Sequence, residues 1–133
     1  MTHQIIQPEG WLRPRGYSNG VAASGHQIYV SGQIGWDLAG RLVSDRFTDQ
    51  VRQALRNILA VLDAAGARAE HLVRLTWFVT SRAEYLAEVR EVGAAYREVI
   101  GRHYPAMSVV EVSALVEAGA KVEIEATAVL PPS

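Results

Sequence analysis

The sequence predicts an α+β fold in which a mixed sheet of about six strands carries two helices on one face, in the order β-β-β-α-β-α-β-β. Three observations lead there. Two segments repeat apolar residues at helical spacing, the segments around them alternate as strands do, and glycine marks most of the junctions.

A short first strand is expected at residues 4–7. Residues 21–24 and 27–34 flank Gly25-His26, a turn-forming pair, and predict an antiparallel hairpin. Phe47, Val51, Ala54, Leu55, Ile58, Leu59 and Leu62 form one stripe of a first helix, with Asp45 as N-cap and Gly66 as its stop. Residues 72–80 are rich in β-branched and aromatic side chains and predict a strand between the helices. The second helix opens on Ser81-Arg82-Ala83-Glu84, a capping box. Its stripe runs Leu86, Val89, Val92, Tyr96 and Val99, and Gly101 ends it. Residues 107–113 and 121–130 complete the strands, joined by a loop around Glu117-Ala118-Gly119.

Two helices cover only one face of such a sheet. Period-two alternation puts Val73, Leu75, Trp77 and Val79 on one face, and Leu72 and Phe78 on the other beside Arg74, Thr76 and Thr80. On the last strand, Val122, Ile124, Ala126, Ala128 and Leu130 oppose Glu123, Glu125, Thr127 and Val129. A second face that is part apolar and part acidic is expected to pack against further copies of the chain.

The chain has 133 residues, 49% of them hydrophobic and 20% charged, which suits one globular unit spanning 1–133. A net charge of -1 gives no field favouring nucleic acid or an anionic membrane. The absence of cysteine removes disulfides, thiolate catalysis and thiolate metal sites. Met1-Thr2-His3-Gln4 leads into no secretory pattern, and no run reaches the ~20 apolar residues of a membrane helix, so a cytoplasmic protein is expected.

Few side chains announce chemistry singly. Glu123 and Glu125 share a strand face at roughly 6 to 7 Å, a spacing compatible with paired carboxylates or with plain interface residues. His3, His26, His71 and His103 make no metal-binding interval and are read as exposed loop or helix-end residues. Trp11, Trp36 and Trp77 are read as packing residues. Gly32, after Ser31, would let a ligand approach the strand closely, and Tyr17 offers a phenol from a loop.

In combination these segments resemble a known family. Gly16-Tyr17-Ser18, Ile28-Tyr29-Val30-Ser31-Gly32-Gln33-Ile34, residues 50–57 leading to Ala64-Ala65-Gly66-Ala67, residues 75–80, Tyr104-Pro105-Ala106-x-Ser108-x-Val110-Glu111-Val112 and Val122-Glu123-Ile124-Glu125-Ala126 resemble the RidA/YjgF reactive-intermediate deaminases, a family also labelled endoribonuclease L-PSP. The resemblance implies a chorismate-mutase-like subunit in a homotrimer with pockets between subunits. It implies a hydrolase that deaminates a reactive enamine or imine without metal or cofactor. Glu123 and Tyr17 take the catalytic positions, and Ser31, Gly32, Met107, Val109 and Arg90 the substrate-binding ones. Met107 departs from the pattern: members acting on 2-imino acids carry arginine there, whose planar fork grips a carboxylate. The expectation is therefore a substrate other than the usual 2-imino acid. The alternative is a non-catalytic trimer of the same fold that binds a small metabolite, with no role for nucleic acid or membrane.

Overall fold

The computed structural model describes residues 3–132; Met1, Thr2 and Ser133, the ends of the unit read over 1–133, lie outside the described residues. Four strands form the main sheet: β3 (His26–Gln33), β4 (Leu72–Val79), β5 (Ala106–Glu111) and β6 (Val122–Leu130), in the spatial order β3-β6-β4-β5. β4 and β5 run parallel and the other pairs antiparallel, so the sheet is mixed as expected. The remaining strands, β1 (Gln4–Ile6) and β2 (Gly20–Ala22), pair with each other in a separate two-stranded sheet. The six expected strands are thus divided four and two.

The hairpin across Gly25-His26 does not form, because β3 pairs with β6 and β2 with β1. Gly25 serves a close approach instead. Its φ is +143°, and a Cβ there would lie 2.1 Å from the Leu130 carbonyl oxygen, where the end of β6 meets the start of β3.

The helices are α1 (Phe47–Ala64), α2 (Arg82–Ala87) and α3 (Val89–Val99). The second predicted helix is broken at Glu88, whose side chain has a longer-range task. Its Oε1 accepts from Thr48 Oγ1 at 2.6 Å and from Thr48 N at 3.3 Å. A carboxylate at this point satisfies an orphan donor of α1 and meets the positive end of its dipole. Asp45 is therefore not the cap; Arg46 holds the N-cap position without a side-chain bond. Half of the predicted capping box is present, with Ser81 Oγ accepting from Glu84 N at 3.0 Å, while the Glu84 carboxylate turns to Lys121 Nζ at 3.2 Å.

Leu72, Leu75, Trp77 and Val79 are buried on the helix-covered face of β4. Leu72 thus replaces the expected Val73. The register with β6 slips between Leu72 and Arg74, and this bulge turns Leu72 inward. Among the described residues no helix is long and apolar enough to cross a membrane. Trp77 packs in the core, whereas Trp11 and Trp36 are exposed. Two histidines are more enclosed than expected: His3 Nε2 lies 3.2 Å from the His71 carbonyl oxygen and His103 Nε2 lies 2.8 Å from that of Leu72.

Gln50, on α1, is fully buried and fully bonded. Its Nε2 donates to Ser44 O at 2.9 Å and Gly119 O at 3.1 Å, and its Oε1 accepts from Lys121 N at 2.8 Å. Gly35 packs so tightly on this residue that a Cβ would lie 2.6 Å from Gln50 Cα. Replacing Gln50 by leucine keeps the volume and strands three backbone groups, each costing about 1 to 3 kcal/mol if left unsatisfied. Gln50→Leu should lower the urea midpoint at fixed protein concentration by an amount equivalent to roughly 3 kcal/mol or more, whereas Gln53→Leu on the same helix should change it little.

Candidate functional site

A cavity of about 560 Å³ opens between α3, the edge strand β5 and the loop that carries Tyr17. Helical spacing explains one wall: Val89, Val92, Gly93, Tyr96 and Arg97 form a single stripe along α3. Strand alternation explains the floor, where Met107 and Val109 project toward the helices in register with Leu75 and Trp77. Ser18 pins the third wall. Its N donates to Pro105 O at 3.0 Å, its Oγ donates to Tyr104 O, and it forms a parallel bridge with Ala106. Tyr17 is thereby held at the lip beside Arg15, and the φ of +75° at Gly16 makes the turn that presents it.

The interior is aromatic. Tyr96 and Tyr104 stack with centroids 5.5 Å apart, and Trp77 lies 6.5 Å from Tyr96. Tyr96 donates its hydroxyl to His103 O at 2.6 Å. Burial, reinforced by Tyr104, holds the Tyr96 phenol well above its ordinary pKa, and burial also raises that of Tyr85. Both are neutral hydrogen-bonding groups at physiological pH. Trp77 is 4% exposed, and its buried Nε1–H has no hydrogen-bond partner among the described residues.

Of the residues singled out from sequence, Tyr17, Met107 and Val109 meet in this cavity. Arg90 does not: it is exposed on α3, and the arginines lining the cavity are Arg15 and Arg97. Arg97 was missed because the stripe was read for apolar residues only; its place one residue after Tyr96 and four after Gly93 was the available signal. Glu123, Ser31 and Gly32 form a second group elsewhere. Glu123 is in register with Phe78 and Glu125 with Thr76, so both carboxylates project from the face opposite to Met107 and Val109. Between Val30 and Gln33, the bulged pair Ser31 and Gly32 stands opposite Glu125 alone. Gly32 lies directly against Glu123, since a Cβ there would be 2.4 Å from Glu123 Oε2. Among the described residues no group of three or more His, Cys, Asp or Glu is placed to hold a metal ion.

Chemically, one face offers an aromatic cavity with a phenol and two guanidiniums at its rim. The other offers a carboxylate against a backbone kept bare by glycine. A carboxylate of this kind can hold or deprotonate water, and a phenol can relay a proton.

Comparison with known proteins agrees with this architecture. Residues 12–130 match the family sequence model described as endoribonuclease L-PSP. A human protein named 2-iminobutanoate/2-iminopropanoate deaminase is 33% identical over 117 residues, covering 87% of this chain and 81% of its own length. A Salmonella typhimurium protein of the same name is 36% identical over 108 residues, covering 79% and 80%. The crystal structure of the Rid-family protein YyfB from Yersinia pestis superposes with a TM-score of 0.83 at 35% identity, covering 98% of this chain and all of its own. Escherichia coli TdcF, solved with bound serine, gives 0.68 at 30% identity, with 96% and 98% covered. With that match over nearly its whole length, and with a sheet and helices laid out as in these structures, the chain belongs to the RidA/YjgF family.

Proposed function

We propose that the protein is a hydrolase that deaminates a reactive enamine or imine, with an active site completed by a second copy of the chain. One observation carries this reading: the two groups of candidate residues lie on opposite faces of one sheet, so no single subunit can bring Glu123 to Tyr17. In a closed homotrimer the outer face of one subunit, with Glu123, Ser31 and Gly32, abuts the cavity of its neighbour. The outer face suits burial. Tyr29, 71% exposed, and Val110, 42% exposed, project from it beside the acidic pair.

The chemistry needs few groups. An enamine takes a proton at carbon to become an imine, and the C=N carbon is then electrophilic enough for water. Glu123 orients that water or takes its proton, and Tyr17 relays a proton to nitrogen. The C–N bond breaks, ammonia leaves and a carbonyl remains. The reaction requires neither electron transfer nor a cofactor. The named relatives have short 2-imino acids in their names. In this chain Met107 offers no donor to a carboxylate, so turnover of 2-iminopropanoate is expected to be poor.

Two measurements test the reading. Glu123→Gln and Tyr17→Phe should each reduce imine hydrolysis by roughly a hundredfold or more. Trimers assembled from an equal mixture of the two variants should regain about a quarter of wild-type activity, one half multiplied by one half, because a site intact in both residues then arises between unlike subunits. A site contained within one chain would regain none. Separately, Met107→Arg should raise kcat/KM for 2-iminopropanoate at least about tenfold.

A further inference from the structure

We propose that Gly32 is a positioning residue for catalysis: the space left by its missing side chain seats the Glu123 carboxylate arm and fixes the direction from which it meets substrate and water. The inference rests on the hydrolase reading for the reaction, but its evidence is separate. Three glycines stand where a Cβ would come within 3 Å of another atom. At Gly25 and Gly35 the obstacle includes backbone, the Leu130 carbonyl and the Gln50 main chain, so both glycines serve packing. At Gly32 the three nearest atoms all belong to one side chain: Glu123 Oε2, closest of all, then Cδ at 2.6 Å and Cγ at 2.8 Å. The φ of Gly32 is not positive, so its backbone conformation alone does not call for glycine. The demand comes from Glu123.

The bulge in β3 brings the two residues together. Val30 pairs with Ala126 and Gln33 with Ile124, so one residue more than regular pairing allows lies between them. In a regular ladder position 32 would stand opposite Ile124, which is fully buried on the helix side. The extra residue gives that place to Gln33 and turns Gly32 to the other face, where Glu123 projects. Gln33 braces the bulge, its Nε2 donating to Ser31 O at 3.2 Å and to Ser31 Oγ at 3.3 Å. Since β3 and β6 are adjacent strands of one chain, the seat is complete before any neighbouring copy arrives. Glu123 is half-buried there, whereas Glu125, two residues along the same face, is exposed. A carboxylate lying over bare peptide gives up rotamers, and a general base must be held within about 0.5 Å of its productive position.

Because the obstacle is the movable end of a side chain and not backbone, Gly32→Ala should fold and displace the carboxylate. Its Tm should stay within about 3 °C of wild type. Activity is read on two imines generated in situ: 2-iminopropanoate from an amino acid oxidase acting on alanine, and 2-phenylethanimine from an amine oxidase acting on phenethylamine. On each imine that is turned over, Gly32→Ala should lower kcat roughly 10- to 100-fold while KM changes less than about twofold. In a Glu123→Ala background, where the arm is gone, Gly32→Ala should change the residual rate less than about twofold. A rise in KM at constant kcat, or an equal loss in the Glu123→Ala background, would assign Gly32 to the path of the substrate and overturn the proposal. So would a Tm lowered as far as in Gly35→Ala, since the glycine would then serve the backbone. If neither imine is hydrolysed, the hydrolase reading fails, and crystal structures of the intact protein decide the seat alone. A Glu123 Cδ displaced by about 1 Å or more in Gly32→Ala supports it; an unmoved carboxylate refutes it.

Discussion

Alternate residues of a strand leave its sheet on opposite sides, and in this protein that parity decides where chemistry can take place. Leu75, Trp77 and Val79 are buried under the helices, so their register partners Met107, Val109 and Glu111 must share that side. Phe78 and Thr76 then carry Glu123 and Glu125 out through the other face. A one-residue slip would place carboxylates in the core and isoleucine in water, so the register is specified strongly. The two halves of the candidate site are separated by the same rule that builds the core. On the proposed reading a second copy unites them, because no loop movement carries a strand side chain through its own sheet.

The cavity depends equally on how α3 is held. Glu88 breaks the helix that the sequence pattern would have run straight, and its carboxylate binds the first turn of α1. Glu98, nearly three turns later, meets Arg52 at 3.1 Å and Arg56 at 3.0 Å on α1. These latter pairs are exposed and contribute little energy individually. Glu88 differs, as a charge-assisted bond at a helix N-terminus. Glu111 adds a tie from the strand side, accepting from Arg82 N at 2.6 Å near the start of α2. The helical wall is thus registered against α1 and β5 together, and the spacing between Tyr96 and Met107 follows from both.

What the sequence disclosed was local. The apolar stripes of α1 and α3, the alternation of β6 and the Ser81 cap involve residues within a few turns of one another, and their physics is contained in the pattern. What it concealed was long-range. Glu88 caps a helix 40 residues away, and Gly25 accommodates a carbonyl more than 100 residues away, so a two-residue turn was the nearer but wrong explanation. Bulges at residues 72–74 and 30–33 add one residue against a partner strand, which no single-strand pattern records. Of the candidate site, Tyr17, Met107 and Val109 proved to be neighbours, as did Glu123 and Gly32. Arg90 and Arg97 lie on a similar flank of α3, yet only Arg97 lines the cavity, a difference that helical spacing does not record.

The position of charge in the cavity follows from desolvation. A guanidinium at 107 would project from a strand floor beside buried Leu75 and Trp77, losing water before any ligand arrives. Such a group is stable there only when a carboxylate or comparable partner compensates it. At 97, by contrast, the arginine is exposed, and its charge keeps its water. Methionine leaves that floor softer and free of a charge to desolvate. A ligand body resting there meets Met107 and the stacked Tyr96 and Tyr104, an apolar wall that adapts to shape and presents no charge to match.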